Sequence, residues 1–391
     1  MKIQPSDRFV HQAEGIWKRL NMWIDEARGR KKDIINLGIG CPDLRPATIL
    51  TDRLSEFVKD TSLYGYPFSE LELNNEISNW YKRRFNVDID PIREVLHTIG
   101  AQEGLTNLPV SLLDSEDILL YPDPGYPLYG YLASFAYSRG YGYPLREENE
   151  YQIEFDRIPP DILKRSKLMI VNYPSNPLAT TTTREALTQL VDFARRNDIL
   201  IIYDNTYCEI TFDGYVAPSI LEIDGAKDIA VELHSFSKTY NLPGIRLGFF
   251  AGNREIIKIL SDVKSNIDFG VFKPFQRLGA FALKSNEVRE EVRKTVETYR
   301  RRRNIVVEQL KNCGIEFNVP KATFYIFAKL PKHIENDEEF VYNLVLNTGV
   351  VVLPGSSFGK NGQGHIRISL VQDENTISTA IEKINQFLTK C

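Results

Sequence analysis

Short apolar runs alternate with amphipathic stretches between about residues 95 and 250. The runs are Val95–Ile99, Ile118–Tyr121, Leu168–Asn172, Ile199–Tyr203, Ala230–His234 and Leu247–Ala251. Several are apolar at successive positions, so both faces of the strand they predict must be covered. Between two of them, Thr183–Asn197 places Leu187, Leu190, Val191 and Ala194 at helical spacing. Alternation of this kind predicts an α/β fold built on a mostly parallel central sheet. In open sheets of that type, ligands gather at the carboxyl ends of the strands.

After about residue 270 the pattern changes. A long charged stretch, Lys284–Asn312, reads as helix. It is followed by a strand (Thr323–Leu330), a helix (Asp337–Asn347) and short strands (Val350–Leu353, His365–Leu370). A last helix carries Ile377, Ala380, Ile381, Ile384 and Leu388 on one face. The expected organisation is a large domain over residues 48–275 and a smaller α+β domain over 276–391. Residues 1–47 are too few for a domain and are expected to pack on the smaller domain or on a partner. Arg300–Arg303 reads as a solvated face of the long helix rather than an anion site.

Composition narrows the classes of function. The 391 residues are 42% hydrophobic and 26% charged, with a formal net charge of −4. That balance is ordinary for a globular chain and gives no electrostatic reason to expect nucleic acid or an anionic membrane. No apolar run approaches the roughly 20 residues that span a bilayer, and the first residues lack a signal-peptide core. Cys41, Cys208, Cys313 and Cys391 are far apart and form no C-x-x-C pair, so free thiols and a cytoplasmic location are expected. Five scattered histidines provide no metal-ligand spacing.

Candidate chemistry sits at the ends of the predicted strands. Residues 235–249 read SFSKTYNLPGIRLGF, with Lys238 flanked by hydroxyls and Arg246 eight positions later. A lysine that can lose its proton forms a Schiff base with an aldehyde. Ser235, Ser237 and Arg246 supply hydroxyls and a forked cation suited to phosphate. Upstream, the apolar run in IIYDNTYCE ends in Asp204, with Tyr207 three residues later. A carboxylate there suits a protonated pyridine nitrogen, and the tyrosine suits a phenolate oxygen. Further upstream NYPSNPL offers Asn176 before a proline, a pair that alone would read as an ordinary turn. The three segments in that order make chance a poor explanation.

Together they resemble the class I/II aminotransferases, pyridoxal 5'-phosphate enzymes of fold type I. The resemblance runs from IINLGIGCPD (34–43) to HIRISL (365–370) and is strongest to the branch with LL-diaminopimelate, alanine and methionine aminotransferases. It implies that Lys238 carries the cofactor and moves the substrate proton, that Asp204 pairs with the ring nitrogen, and that Tyr207 and Asn176 bond the phenolate oxygen. It implies phosphate binding by Ser235, Ser237, Arg246 and the backbone of Ala101 and Gln102 in GAQEG, where a helix start favours an anion. Tyr126 in DPGYPLY matches the aromatic that stacks on the ring. Arg367 matches the clamp on the substrate α-carboxylate, with Gly40 and Asn176 beside it. Tyr66 resembles a tyrosine that reaches the neighbouring subunit's phosphate, which implies a homodimer with shared active sites. The implied reaction moves an amino group from an L-amino acid to a 2-oxo acid by a ping-pong mechanism.

The chain also departs from the family's pattern. Residues 66–77 are short and lack its glycine and Leu-Arg pair; Leu178 and Ala179 replace Thr-Gly; Phe269 stands where serine is common. These changes point to a specialised biosynthetic substrate. The same motifs would serve a β-lyase, decarboxylase, cyclase or oxidase on this fold. A non-catalytic regulatory module is the remaining alternative.

Overall fold

The computed structural model describes residues 15–311 and 315–390, together with residues 3, 4, 6 and 9. Cys313, Cys391 and Asn312 lie outside the described residues. Among the described residues thirteen strands follow in chain order. The first is β1 (Ile35–Asn36). The next seven are β2 (Val95–Thr98), β3 (Ile118–Asp123), β4 (Arg139–Pro144), β5 (Ser166–Asn172), β6 (Leu200–Asp204), β7 (Ala230–Ser235) and β8 (Gly248–Gly252). The last five are β9 (Glu316–Phe317), β10 (Tyr325–Lys329), β11 (Val350–Val351), β12 (Leu353–Pro354) and β13 (His365–Ser369).

β2 to β8 form one sheet in the order β2-β8-β7-β6-β5-β3-β4. Only β8 runs against its neighbours. The central strands are buried on both faces, as continuous apolar runs such as Leu168–Val171 require. The fold is therefore α/β with a mostly parallel central sheet. Parallel strands need crossovers, and the helix Arg184–Arg196 is one of them. Thr183 caps it by accepting a hydrogen bond from Ala186 N, and Leu187, Leu190, Val191 and Ala194 form its buried stripe. The crossovers bring the carboxyl ends of β3, β5, β6 and β7 to one edge. β4 left no signal in the sequence, because its residues RGYGYP lie at a half-exposed sheet edge where no apolar run is needed.

A second, antiparallel sheet has the order β12-β13-β10-β9. β1 joins this part of the molecule by pairing with β11, and Ser369 N donates to Leu37 O. The helix Ile16–Gly29 packs against Asp337–Thr348 through Trp23 and Tyr342, whose rings lie 5.7 Å apart. The segment after β1 thus runs along the seam between the two sheets.

Two expectations need correcting. The helix expected over Lys284–Asn312 begins at Asn286, because the preceding helix Lys273–Lys284 ends at Ser285. Arg302 and Arg303 are not solvated: each is 3% exposed on the inner face of the long helix. A carboxylate from another segment, Asp43 or Asp213, grips each guanidinium with both oxygens, which makes its burial tolerable.

Candidate active site

One end of the site is set by a glycine. Gly100 opens the helix Gly100–Leu112 directly after β2, with a φ of 70°. A Cβ there would lie 2.5 Å from an Arg246 guanidinium nitrogen. Only glycine lets that cation rest against the helix start, beside Ala101 and Gln102. Ser235 closes β7 and its hydroxyl accepts from Ser237 N at 3.2 Å. Two hydroxyls, a guanidinium and a helix N-terminus therefore converge at this end.

The middle of the site is built on Asp204, the last residue of β6. Its carboxylate is buried and accepts from Tyr129 Oη at 2.7 Å and from the amide and hydroxyl of Thr206. Among the described residues no cation forms an ion pair with it, and burial pushes its carboxyl above the usual range. Asn172 closes β5 and ties the two strand ends together: its Nδ2 donates to Asp204 O at 2.8 Å and its Oδ1 accepts from Asn176 N at 2.9 Å. Tyr126 lies on the same wall, its ring 5.7 Å from that of Tyr129. The hydroxyls of Tyr207 and Tyr325 are 2.9 Å apart, and burial raises the pKa of both.

Lys238 sits in the short helix Phe236–Thr239 that links β7 to β8. Its Nζ donates to Gly40 O at 2.8 Å. Burial pulls its ammonium down to about 8. Arg367, on β13, crosses from the second sheet. One guanidinium nitrogen donates to Asn176 Oδ1 at 2.8 Å, and another donates to Gly38 O. Its central carbon lies 4.3 Å from the Tyr325 ring centre and 4.9 Å from that of Phe358. The residue is 2% exposed, yet no carboxylate among the described residues pairs with it.

These side chains line one cavity of about 260 Å³. It brings together every residue expected from the sequence to bind cofactor or substrate except Tyr66. Tyr66 is 69% exposed and packs with Phe269, ring centres 5.0 Å apart, in an aromatic patch away from the cavity. A larger groove of about 620 Å³ between Arg93 and Arg254 holds none of these residues. Sequence reasoning missed Tyr129, Thr206 and Tyr325, and also Trp17, Ile39 and Cys41 at the cavity's rim. Thr206 lies two positions after Asp204, a spacing that marks a hydroxyl able to fold back on a carboxylate. The others have no local signal, because long-range packing brings them in.

Pyridoxal phosphate fits this cavity on chemical grounds. A buried carboxylate lacking a cation awaits a protonated ring nitrogen. The convergence of Arg246, two serines and a helix start awaits a phosphate. A lysine with a lowered pKa stands between them, and Tyr126 provides an aromatic wall.

Comparison with known proteins agrees. LL-diaminopimelate aminotransferases from Syntrophobacter fumaroxidans and Aquifex aeolicus are each 39% identical to the chain. The first match covers 92% of this chain and 93% of the relative, the second 97% and 98%. The substrate-bound structure of BacF from Bacillus subtilis superposes with a TM-score of 0.93 at 32% identity, covering 99% of this chain and 98% of that one. The family model for aminotransferases of class I and II matches residues 32–384. With its cofactor constellation gathered at the strand ends of this sheet, the chain belongs to the class I and II aminotransferases, which depend on pyridoxal phosphate.

Proposed function

We propose that Lys238 carries the cofactor and shuttles the substrate's α-proton while an amino group passes from an L-amino acid to a 2-oxo acid. One observation carries the assignment of roles: Asp204 and Arg367 are buried and Lys238 is half-buried on one cavity, and none has an ionic partner among the described residues. The other buried Lys and Arg side chains among the described residues, Lys264, Arg302 and Arg303, each have a carboxylate partner, which sets this group apart as one left for ligands. Pyridoxal phosphate, when bound, supplies an aldehyde and a ring that withdraws electrons from the substrate's α-carbon.

The chain's own groups do the rest. Arg367 holds the α-carboxylate with a planar fork and so fixes the α-carbon near Lys238. With its pKa near 8, the Lys238 amine is neutral in a useful fraction near neutral pH and can take and return a proton. Asp204, whose carboxylate accepts from Tyr129 and Thr206, would pair with the protonated ring nitrogen. Tyr207 and Asn176 donate to the ring's phenolate oxygen. Ser235, Ser237, Arg246 and the amides of Ala101 and Gln102 hold the phosphate.

The same reading extends to assembly. Tyr66, Phe68, Leu71, Ile267 and Phe269 are all large, apolar and exposed. A patch of this kind suits a second copy of the chain, with Tyr66 reaching the phosphate of the neighbouring site. The reading keeps a large domain at 48–275, a small domain at 276–391, and residues 1–47 as an N-terminal segment for the small domain or a partner. It places the protein in the cytoplasm; among the described residues no helix is long and apolar enough to cross a membrane. Phe269 and the Leu178-Ala179 pair support a specialised biosynthetic substrate.

The experiment is a half-reaction. Purified protein is loaded with pyridoxal phosphate, reduced with borohydride and digested. The label is expected on Lys238. Unreduced protein is then mixed with single amino acids, and one equivalent of 2-oxo acid per site is expected. A label elsewhere, or a colourless protein, sinks the assignment. Loss of carbon dioxide, or a β-elimination product without stoichiometric amine transfer, points to another reaction on this fold.

A further inference from the structure

One buried lysine outside the cavity takes no part in the roles assigned above. Lys264 lies in the helix Arg254–Ser265 and is 3% exposed. Its Nζ donates to Glu103 Oε2 at 3.0 Å and to both oxygens of Asp268 at 2.8 Å. Its backbone carbonyl accepts from Ile267 N and Asp268 N. Backbone and side chain together hold Asp268 at the end of this helix, and Asp268 in turn fixes the ammonium beside Glu103. All of these contacts lie within one copy of the chain. An ammonium this deeply covered is out of a second copy's reach.

Glu103 gives the triad its bearing on the site. It belongs to the first turn of the helix Gly100–Leu112, whose amides at Ala101 and Gln102 are assigned to the cofactor's phosphate. Its Oε2 also accepts from Ile99 N at 2.9 Å, and its Oε1 accepts from Asn107. The carboxylate is thus held at the helix start from two sides. First-turn amides have no acceptor within a helix and carry its positive end, so carboxylate and phosphate draw on the same field. Two anions within one helical turn also repel each other. An uncompensated Glu103 would therefore weaken the hold on the phosphate. Lys264 places a cation 3.0 Å from that carboxylate. His97 does not alter the balance: burial and the Lys264 ammonium pull its pKa down to about 3, so it is neutral.

We propose that Lys264 is a positioning residue for the cofactor's phosphate: it cancels the Glu103 carboxylate at the helix start and so keeps that end of the cavity attractive to an anion. The proposal rests on the placement of the phosphate at Arg246 and this helix. Lys264 touches neither cofactor nor substrate and acts through the charge of Glu103.

The test compares pyridoxal phosphate with pyridoxal, which lacks the phosphate and joins Lys238 through the same aldehyde. Each is titrated into the cofactor-free protein and followed by the visible band. The ratio of the two dissociation constants isolates the phosphate's share of binding. Lys264→Met makes the triad one charge more negative and should lower the advantage of pyridoxal phosphate at least about tenfold. Glu103→Gln makes it one charge less negative, keeps an acceptor for Ile99 N, and should raise the advantage at least about threefold. The double variant returns to the starting charge and should fall within about threefold of the unsubstituted protein. Loss of packing cannot produce that order, because the most altered chain is the one expected to bind like its parent. A ratio unmoved by Lys264→Met, or a double variant as weak as Lys264→Met alone, overturns the proposal. Where Lys264→Met does not fold, Glu103→Gln decides by itself, and an unchanged or lower ratio refutes the role of Lys264. Arg246→Ala tests the placement of the phosphate and should lower the ratio at least about tenfold. If it does not, that placement fails and the proposal with it. A drop in Arg246→Ala with none in Lys264→Met sinks the proposal alone.

Discussion

The seam beside the long helix and the floor of the cavity both bury arginine, and they treat it differently. In the seam, Arg302 binds both oxygens of Asp43 and also Leu370 O, at 2.8 to 2.9 Å. Arg303 does the same with Asp213 and Pro320 O. In the cavity, Arg367 has an amide oxygen and a backbone carbonyl, and no carboxylate. Carboxylates differ less, since hydrogen-bond donors meet both of those buried near the site. Glu232 lies fully buried behind the site, and its two oxygens receive Ser219 Oγ, Ile220 N, Asn205 Nδ2 and His234 Nε2. Asp204, on the neighbouring strand, has neutral donors and a raised pKa. The fold can pair the arginines it buries, as Arg302 and Arg303 show. Under the proposed function, a ligand of opposite charge would complete those it leaves uncompensated.

Substitutions in the two regions should therefore fail in different ways. Lys238→Ala should cost the most, at least about 10⁴-fold in turnover, with the fold intact by circular dichroism. Near-normal turnover would remove the central residue of the reading. Asp204→Ala should slow α-proton exchange by about 10³-fold and weaken cofactor affinity in equilibrium dialysis. Unchanged kinetics would place Asp204 with the structural charges. Arg367→Ala should lower kcat/KM for amino acids by roughly 10²-fold, mostly through KM, and leave cofactor absorbance in place. Behind the site, Glu232→Ala should leave Ser219 Oγ and Ile220 N without their acceptor and lower unfolding stability by about 2–4 kcal/mol in urea titration. A loss of activity without a loss of stability would erase the distinction between the regions.

The smallest effect is a pH dependence of the cofactor-free protein. The Lys238 pKa falls from 10.5 to about 8 on folding. Between those values the unfolded chain holds more protons, so stability rises with pH there. The cost of the buried ammonium is full below pH 8 and fades towards 10.5. Lys238→Met should therefore be the more stable protein at pH 7, by on the order of 2–3 kcal/mol, with an advantage that shrinks as pH rises from 8 to 10.5. Parallel pH curves for the two proteins would contradict a costly ammonium at this position.

Much of this was legible in the sequence. The six strands of the central sheet expected from apolar runs lie within one or two residues of their places, because a strand covered on both faces must be apolar throughout. Asp204, Asn176 and Lys238 were legible because each stands just after such a run. Arg302 and Arg303 were misread, since a charged pair in a charged helix says nothing about the aspartates awaiting it across the seam. Tyr129, Tyr325 and Trp17 were invisible for a related reason: their neighbours in the chain carry no trace of what they touch.

The sequence by itself determined the class of fold and the family, and singled out Lys238 as the candidate for cofactor attachment, because periodicity and short motifs are local properties of the chain. Only the tertiary structure decided which charges are neutralised and which stay open, and which surfaces line the rim. Those depend on residues hundreds of positions apart, such as Gly40 with Lys238 and Gly38 with Arg367, and partnership at that range is a matter of packing and distance alone.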